Sequence, residues 1–322
     1  MLVSADTRKP RTLEELIGPE LGARLDRLDV FSRKMLAGKL PGERRSKRRG
    51  RSVEFDDFRN YVPGDDLRHI DWNIYARFDR LFVKLFREDE DLSLTVAVDL
   101  SASMDAGDPN KAVFAARVAM ALAYVGLVNQ NRVSVAAFGV RGARGDAGLK
   151  HLAPVRGRTN LRRVSGFLLE NLGAPGGEGA NLDAALRAIG RMRNSRGIIV
   201  VLSDFLSREP FVRGLNALAG GEAGGRDAYC LHVLSPGELD PAREAERGLI
   251  GDLRLTDIET GRGTEVTVSP ASISRYRAGL EKHNAMLRGA CLSRGIAYFL
   301  VPSSTVVDQL VLGSLRRGGM LR

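Results

Sequence analysis

Only two cysteines, Cys230 and Cys291, occur in 322 residues. A disulfide framework is therefore excluded, and a reducing cytoplasm is the expected compartment. Histidine is nearly as scarce: His69, His151, His232 and His283 stand far apart, without the paired spacing of a histidine metal centre. There is no GxxxxGK[ST] phosphate loop and no G-x-S-x-G nucleophile elbow, so neither P-loop ATPase chemistry nor that hydrolase architecture is expected. The N-terminus has no apolar core of the kind a secretory signal needs. Long hydrophobic runs are also missing. The most membrane-like stretch, residues 111 to 128, is interrupted by Lys111 and Arg117 and leaves only 118 to 128 uncharged, too short to cross a bilayer. It reads as a core helix, and the chain as a non-enzymatic protein with no transmembrane segment.

What is present suits a folded chain. Hydrophobic residues make up 43% and charged residues 27%, a balance that can bury a substantial core. The net charge of +10 points to an acidic partner, nucleic acid or a membrane surface. Part of that charge is local: positions 44 to 51 read RRSKRRGR, six basic residues in eight. With no aromatic residue in the run to stack on bases, an acidic protein partner or a merely solvated loop is favoured over nucleic acid, which stays an alternative.

The stretch that organises the chain is Leu92 to Met104, LSLTVAVDLSASM. Its apolar run suits a central strand covered on both faces. At the carboxyl end Asp99, Ser101 and Ser103 follow at a spacing of two, where ligands bind in open parallel α/β sheets. A carboxylate and two hydroxyls offer oxygen alone, which suits a small hard cation such as Mg²⁺. Asp204 ends another apolar run, Gly197 to Ser203, in the equivalent position, and neighbouring strands would bring it beside Asp99. The plainer alternative is that Asp99 caps the following turn and the serines bond to backbone.

Asp-Leu-Ser-Ala-Ser with a downstream Ser-Asp resembles the metal-ion-dependent adhesion site, or MIDAS, of von Willebrand factor A-type domains. The resemblance implies that Asp99, Ser101, Ser103 and Asp204 hold Mg²⁺, with a partner supplying a carboxylate as the last ligand. It also implies a threonine from a second loop, where this chain has Ala180, which carries no side-chain oxygen. Asn181 or water could complete the set, and Thr159 is a possible substitute whose place in the chain fits an earlier segment better.

Around this strand the chain divides into a helical segment and basic linker (1–45), a small β-rich subdomain (46–91) and an α/β domain (92–322) with a hairpin insertion near 252–268, turning at Glu259 to Gly263. The first segment opens with a capping-box pattern at Thr12 to Glu15. Leu21, Leu25, Leu28, Phe31 and Met35 then predict one amphipathic helix. In the β-rich subdomain Pro63 to Asp66 is turn chemistry, and Trp72, Tyr75 and Phe78 read mostly as core. Its polar residues Asp65, Asp66, Arg68, Asp71 and Arg77 form either a docking surface or a salt-bridge lattice. From residue 110 onward strands at 132–138, 197–203, 228–234 and 296–301 alternate with helices, which implies a doubly wound, mostly parallel Rossmann-like sheet.

An acidic-Phe pair, Tyr-Val-Pro-Gly-Asp-Asp-Leu-Arg, Ile-Asp-Trp and Ala-Arg, followed closely by the Asp-Leu-Ser-Ala-Ser strand, resemble the signature of the bacterial DUF-58 family. That resemblance covers nearly the whole chain. It implies a von Willebrand A-like fold and an adaptor or chaperone-like role beside a MoxR-type AAA+ ATPase. A Mg²⁺-dependent phosphoesterase using Asp99 and Asp204 is the remaining alternative.

Overall fold

The computed structural model describes residues 9–32, 54–87, 92–140, 148–173, 181–192, 197–207, 209–220, 226–242, 251–256 and 263–322. The basic run 44–51, Met35, Ala180 and the hairpin turn at 257–262 lie outside them. The chain forms two units, one of residues 1–39 with 92–322 and one of residues 40–91.

In the larger unit, α1 (Leu13–Leu16) and α2 (Pro19–Leu25) precede β1 (Ser93–Asp99), α3 (Lys111–Val128), β2 (Arg132–Phe138), β3 (Lys150–Val155) and α4 (Leu161–Leu172). There follow α5 (Leu182–Arg191), β4 (Gly197–Ser203), α6 (Val212–Leu218), β5 (Arg226–Leu234) and the one-turn α7 (Pro236–Leu239). An antiparallel pair, β6 (Gly251–Thr256) and β7 (Gly263–Val268), leads to α8 (Pro270–Leu292) and β8 (Ala297–Pro302). The sheet runs β8-β5-β4-β1-β2-β3, with every pair parallel except β2 and β3. This is the von Willebrand A-like, Rossmann-like order in which connections leave β1 in both directions, so its carboxyl end is a topological switch point. The edge strand β3 is absent from the sequence reading: its half-exposed residues, interrupted by Pro154, carry no alternating signal.

Side chains of β1 alternate between the two faces. Leu94, Val96 and Val98 enter a core shared with α1 to α4 and the C-terminal helical segment, while Ala97 enters a second core with α5, α6 and α8. Helix α3 is buried on nearly all sides. It is the one described helix long and apolar enough to cross a membrane, and here it fills the core.

The predicted amphipathic helix through Phe31 is corrected. Helix α2 stops at Leu25, and the chain extends so that Val30 bridges Leu321 and Asp29 exchanges backbone hydrogen bonds with Arg322. Leu25 and Leu28 of the apolar spacing are still buried, so it marked burial rather than continuous helix. At the N-terminal turn the Thr12 hydroxyl accepts from Glu15 N, and the Glu15 carboxylate accepts from Arg11 N.

The smaller unit pairs strand Glu54–Asn60 antiparallel with strand Phe82–Arg87. Between them residues Trp72–Phe78 form a helix, within the segment that the sequence reading took as β-rich. Asp71 decides this: its carboxylate caps Asn73 N at 2.9 Å and Ile74 N at 3.1 Å. A two-stranded layer with one short helix buries little, so Ile70 and Val83 are covered while Trp72 and Phe78 are exposed rather than core. The polar residues pair within the unit: Asp65 with Arg59, Asp66 with Arg68, and Asp71 with Lys84.

Candidate functional site

Strand register builds the site. Val98 of β1 pairs with Leu202 of β4, so one step further Asp99 meets Ser203 and the two chains turn outward together. The Ser203 hydroxyl donates to Asp99 Oδ2 at 2.6 Å, and Ser101 N donates to Asp99 Oδ1 at 2.9 Å. The Ser101 and Ser103 hydroxyl oxygens lie 3.1 Å apart. Asp204 accepts the Leu206 backbone N–H through Oδ1.

The loop from Ser101 to Asn110 is held tightly. Gly139, at φ +70°, passes so close that an added Cβ would stand 2.8 Å from Ser101 N. Asp105 takes Lys9 Nζ at 2.7 Å and Asn110 Nδ2 at 3.1 Å, while Asn110 Oδ1 caps α3 at Val113 N. The N-terminal segment therefore braces the first loop of the site.

Three residues of the site were given no role by the sequence reading: Lys111, Ser203, quoted there only as part of the Ser-Asp pair, and Glu238. Lys111 opens α3 and is fully buried; its ammonium donates to Asp204 Oδ2 at 2.9 Å and to Glu238 Oε1 at 2.6 Å. Glu238 belongs to α7, where its other oxygen accepts from Ser235 N at 2.7 Å. A lysine at the first position of a largely apolar helix, one loop past the serines, was the available signal. Nothing in the local sequence around Glu238 pointed to it.

Burial followed by the nearby Asp204 charge pushes the Asp99 carboxyl up to about 6, against the hydrogen bonds from Ser203 and Ser101. Burial alone would lower the Lys111 ammonium, but the Asp204 and Glu238 carboxylates outweigh it and raise it. Asp99, Ser103 and Asp204 are nearly covered, whereas Ser101 is half-buried and Leu206 exposed. The rim is thus open over Ser101.

The donor set is all oxygen. Two ligands lying cis on an octahedral Mg²⁺, each about 2.1 Å from the ion, stand about 3.0 Å apart, and the two serine hydroxyls are spaced in that way. Among the described residues no three His, Cys, Asp or Glu side chains make a metal cage, so a cation here would depend on the serines. Asn181 is committed elsewhere: its Oδ1 caps α5 at Ala184 N and its Nδ2 bonds Glu209. Thr159 sits in the exposed turn before α4, where its neighbour Arg158 bonds Tyr124 towards the far end of α3 from Lys111.

A family model described as "Protein of unknown function DUF58" matches residues 57–286. The chain belongs to the DUF58 family. Among relatives of this DUF58 chain, the uncharacterized protein Rv1480 of Mycobacterium tuberculosis (strain ATCC 25618 / H37Rv) is 30% identical over 309 residues, covering 94% of this chain and 92% of its own. Among solved structures, the conserved hypothetical protein BatB from Bacteroides thetaiotaomicron is 15% identical with a TM-score of 0.41, covering 70% of this chain and 98% of its own. An aerotolerance-related membrane protein from Bacteroides fragilis NCTC 9343, with multiple mutations to serines, is 16% identical with a TM-score of 0.37, covering 70% and 99%. The cytoplasmic location expected from the sequence does not stand beside a membrane protein among these neighbours, and that expectation is withdrawn. Composition and apolar runs alone do not assign the compartment of this DUF58 chain.

Proposed function

We propose that this DUF58 chain is a non-enzymatic protein-interaction module that captures an acidic side chain of a protein partner at the rim of Asp99, Ser101, Ser103 and Asp204. The observation that carries this is the pair of serine hydroxyls 3.1 Å apart above two carboxylates at the switch point of the sheet. Ser101 and Ser103 would hold Mg²⁺ through their hydroxyls, with Asp99 and Asp204 supplying negative charge. When bound, the ion offers an open coordination position to a carboxylate.

The chain's own residues prepare that rim. Ser203 and Ser101 N fix both oxygens of Asp99, so the carboxylate cannot rotate away. Gly139 lets the Ser101 backbone approach β2 closely. Lys111 holds Asp204 in orientation. His232 is buried on the β5 side close to Asp204, with its Nδ1 bonded to Tyr298.

The partner class proposed is a MoxR-type AAA+ ATPase, as the family resemblance implies. Co-expression and pull-down with such an ATPase tests this, in Mg²⁺, in chelator, and with Asp99→Ala and Ser101→Ala. Capture that needs Mg²⁺ and is lost in both variants is expected. Capture that is equal under all conditions would remove the rim from the mechanism.

A further inference from the structure

The buried ammonium of Lys111 pairs with Asp204, one of the two carboxylates assigned above to the ion. We infer that Lys111 is a built-in cation that competes with Mg²⁺ for Asp204, and that Glu238 sets the balance by holding the ammonium from the other side. This rests on the proposed site and adds two residues that control it.

The geometry is that of a shared charge. Lys111 Nζ lies 2.9 Å from Asp204 Oδ2 and 2.6 Å from Glu238 Oε1, with the lysine side chain wholly covered. A buried ammonium persists only where it is paired. Glu238 cannot easily follow it elsewhere, because Ser235 N at 2.7 Å and Ser235 Oγ at 3.0 Å grip its second oxygen and close the cap of α7. Asp204 and Glu238 both face the one ammonium, and Asp99 adds its charge beside Asp204, so the group keeps a net negative charge that a cation would offset.

Ion and ammonium therefore draw on the same Asp204 carboxylate, with opposite consequences for the two substitutions. Removing the ammonium releases Asp204 to the ion. Removing the Glu238 charge leaves the ammonium on Asp204 alone and takes one negative charge from the group. Because the lysine is tethered, it also keeps the rim assembled without metal. Its position at the head of α3 and its contact with α7 make the tether reach across the strand ends.

The test is calorimetric titration of the full chain with MgCl₂ alone, on wild type, Lys111→Met and Glu238→Gln, beside thermal melts with Mg²⁺ and with chelator. Lys111→Met is expected to bind Mg²⁺ about tenfold tighter or more, and Glu238→Gln weaker by a similar factor, from the loss of one close charge in each case. The melting temperature of Lys111→Met should depend on Mg²⁺ more steeply than that of wild type. Unchanged affinity in Lys111→Met overturns the inference. Should that variant fail to fold, unchanged affinity in Glu238→Gln overturns it equally. Mg²⁺ binding by Lys111→Met alone supports the inference and overturns the proposal that the unaltered chain holds the ion; binding by none of the three overturns both.

Discussion

The Ser203 hydroxyl donates to the Asp99 carboxylate at 2.6 Å although the two residues are 104 positions apart in the chain. The same oxygen of Ser203 accepts Phe205 N at 2.9 Å, so one buried hydroxyl both orients the acid and fixes the turn that carries Asp204. Ser203→Ala should destabilise the fold by about 1.5–3 kcal/mol, the range for a buried hydrogen bond to a charged group. A urea unfolding series measures this, and an unaltered midpoint would show that the hydroxyl does not support Asp99.

Gly139 should not tolerate a side chain. Its φ of +70° disfavours any L residue, and a Cβ would press on the Ser101 backbone at 2.8 Å. Gly139→Ala is expected to cost about 2 kcal/mol or more and to disturb Ser101. Thermal melts and amide exchange at Ser101 report the two effects separately. A stable variant with Ser101 exchange unchanged would contradict the close approach.

Stability should fall with acid through His232. Burial is the largest cause that lowers this imidazole from 6.5 to about 4, so it is neutral in the folded chain at neutral pH. Between those values the unfolded chain binds more protons. The contribution is therefore complete above about pH 6.5 and is lost as pH falls towards 4, up to on the order of 3 kcal/mol. His232→Gln should flatten the pH dependence of the urea midpoint over that window. An identical slope in both proteins would assign the acid sensitivity elsewhere.

Cys230 should be chemically silent in the folded chain. Its thiol is buried, and the adjacent Cys291 together with burial raises it well above the usual range, which suppresses the reactive thiolate. Labelling of Cys230 by a thiol reagent at neutral pH is expected only at the rate of unfolding. Fast labelling without denaturant would mean that β5 is not sealed under α8.

Much of the fold could be read along the chain where local signals agree with burial. β4 carries an unbroken apolar run, β2 one interrupted after Arg132 only by Ser134, and α5 is announced by Asn181 at its cap and one apolar face. Local signals failed where burial depended on partners distant in sequence. Leu28 and Phe31 kept helical spacing, yet the chain there is extended and Val30 between them bridges Leu321. Trp72 and Phe78 looked like core residues, but their unit is too thin to cover them.

For the site, sequence alone settled the chemistry available: Asp99, Ser101, Ser103 and Asp204 are oxygen donors at strand ends, whatever else the chain does. Tertiary structure alone decided which charge meets them. Lys111 follows Asp99 by a loop and the cap of a helix, but Glu238 reaches it only because β5 lies two strands from β1 and ends at the same rim. Coulomb energy depends on separation in space, and strand order, not chain position, sets that separation.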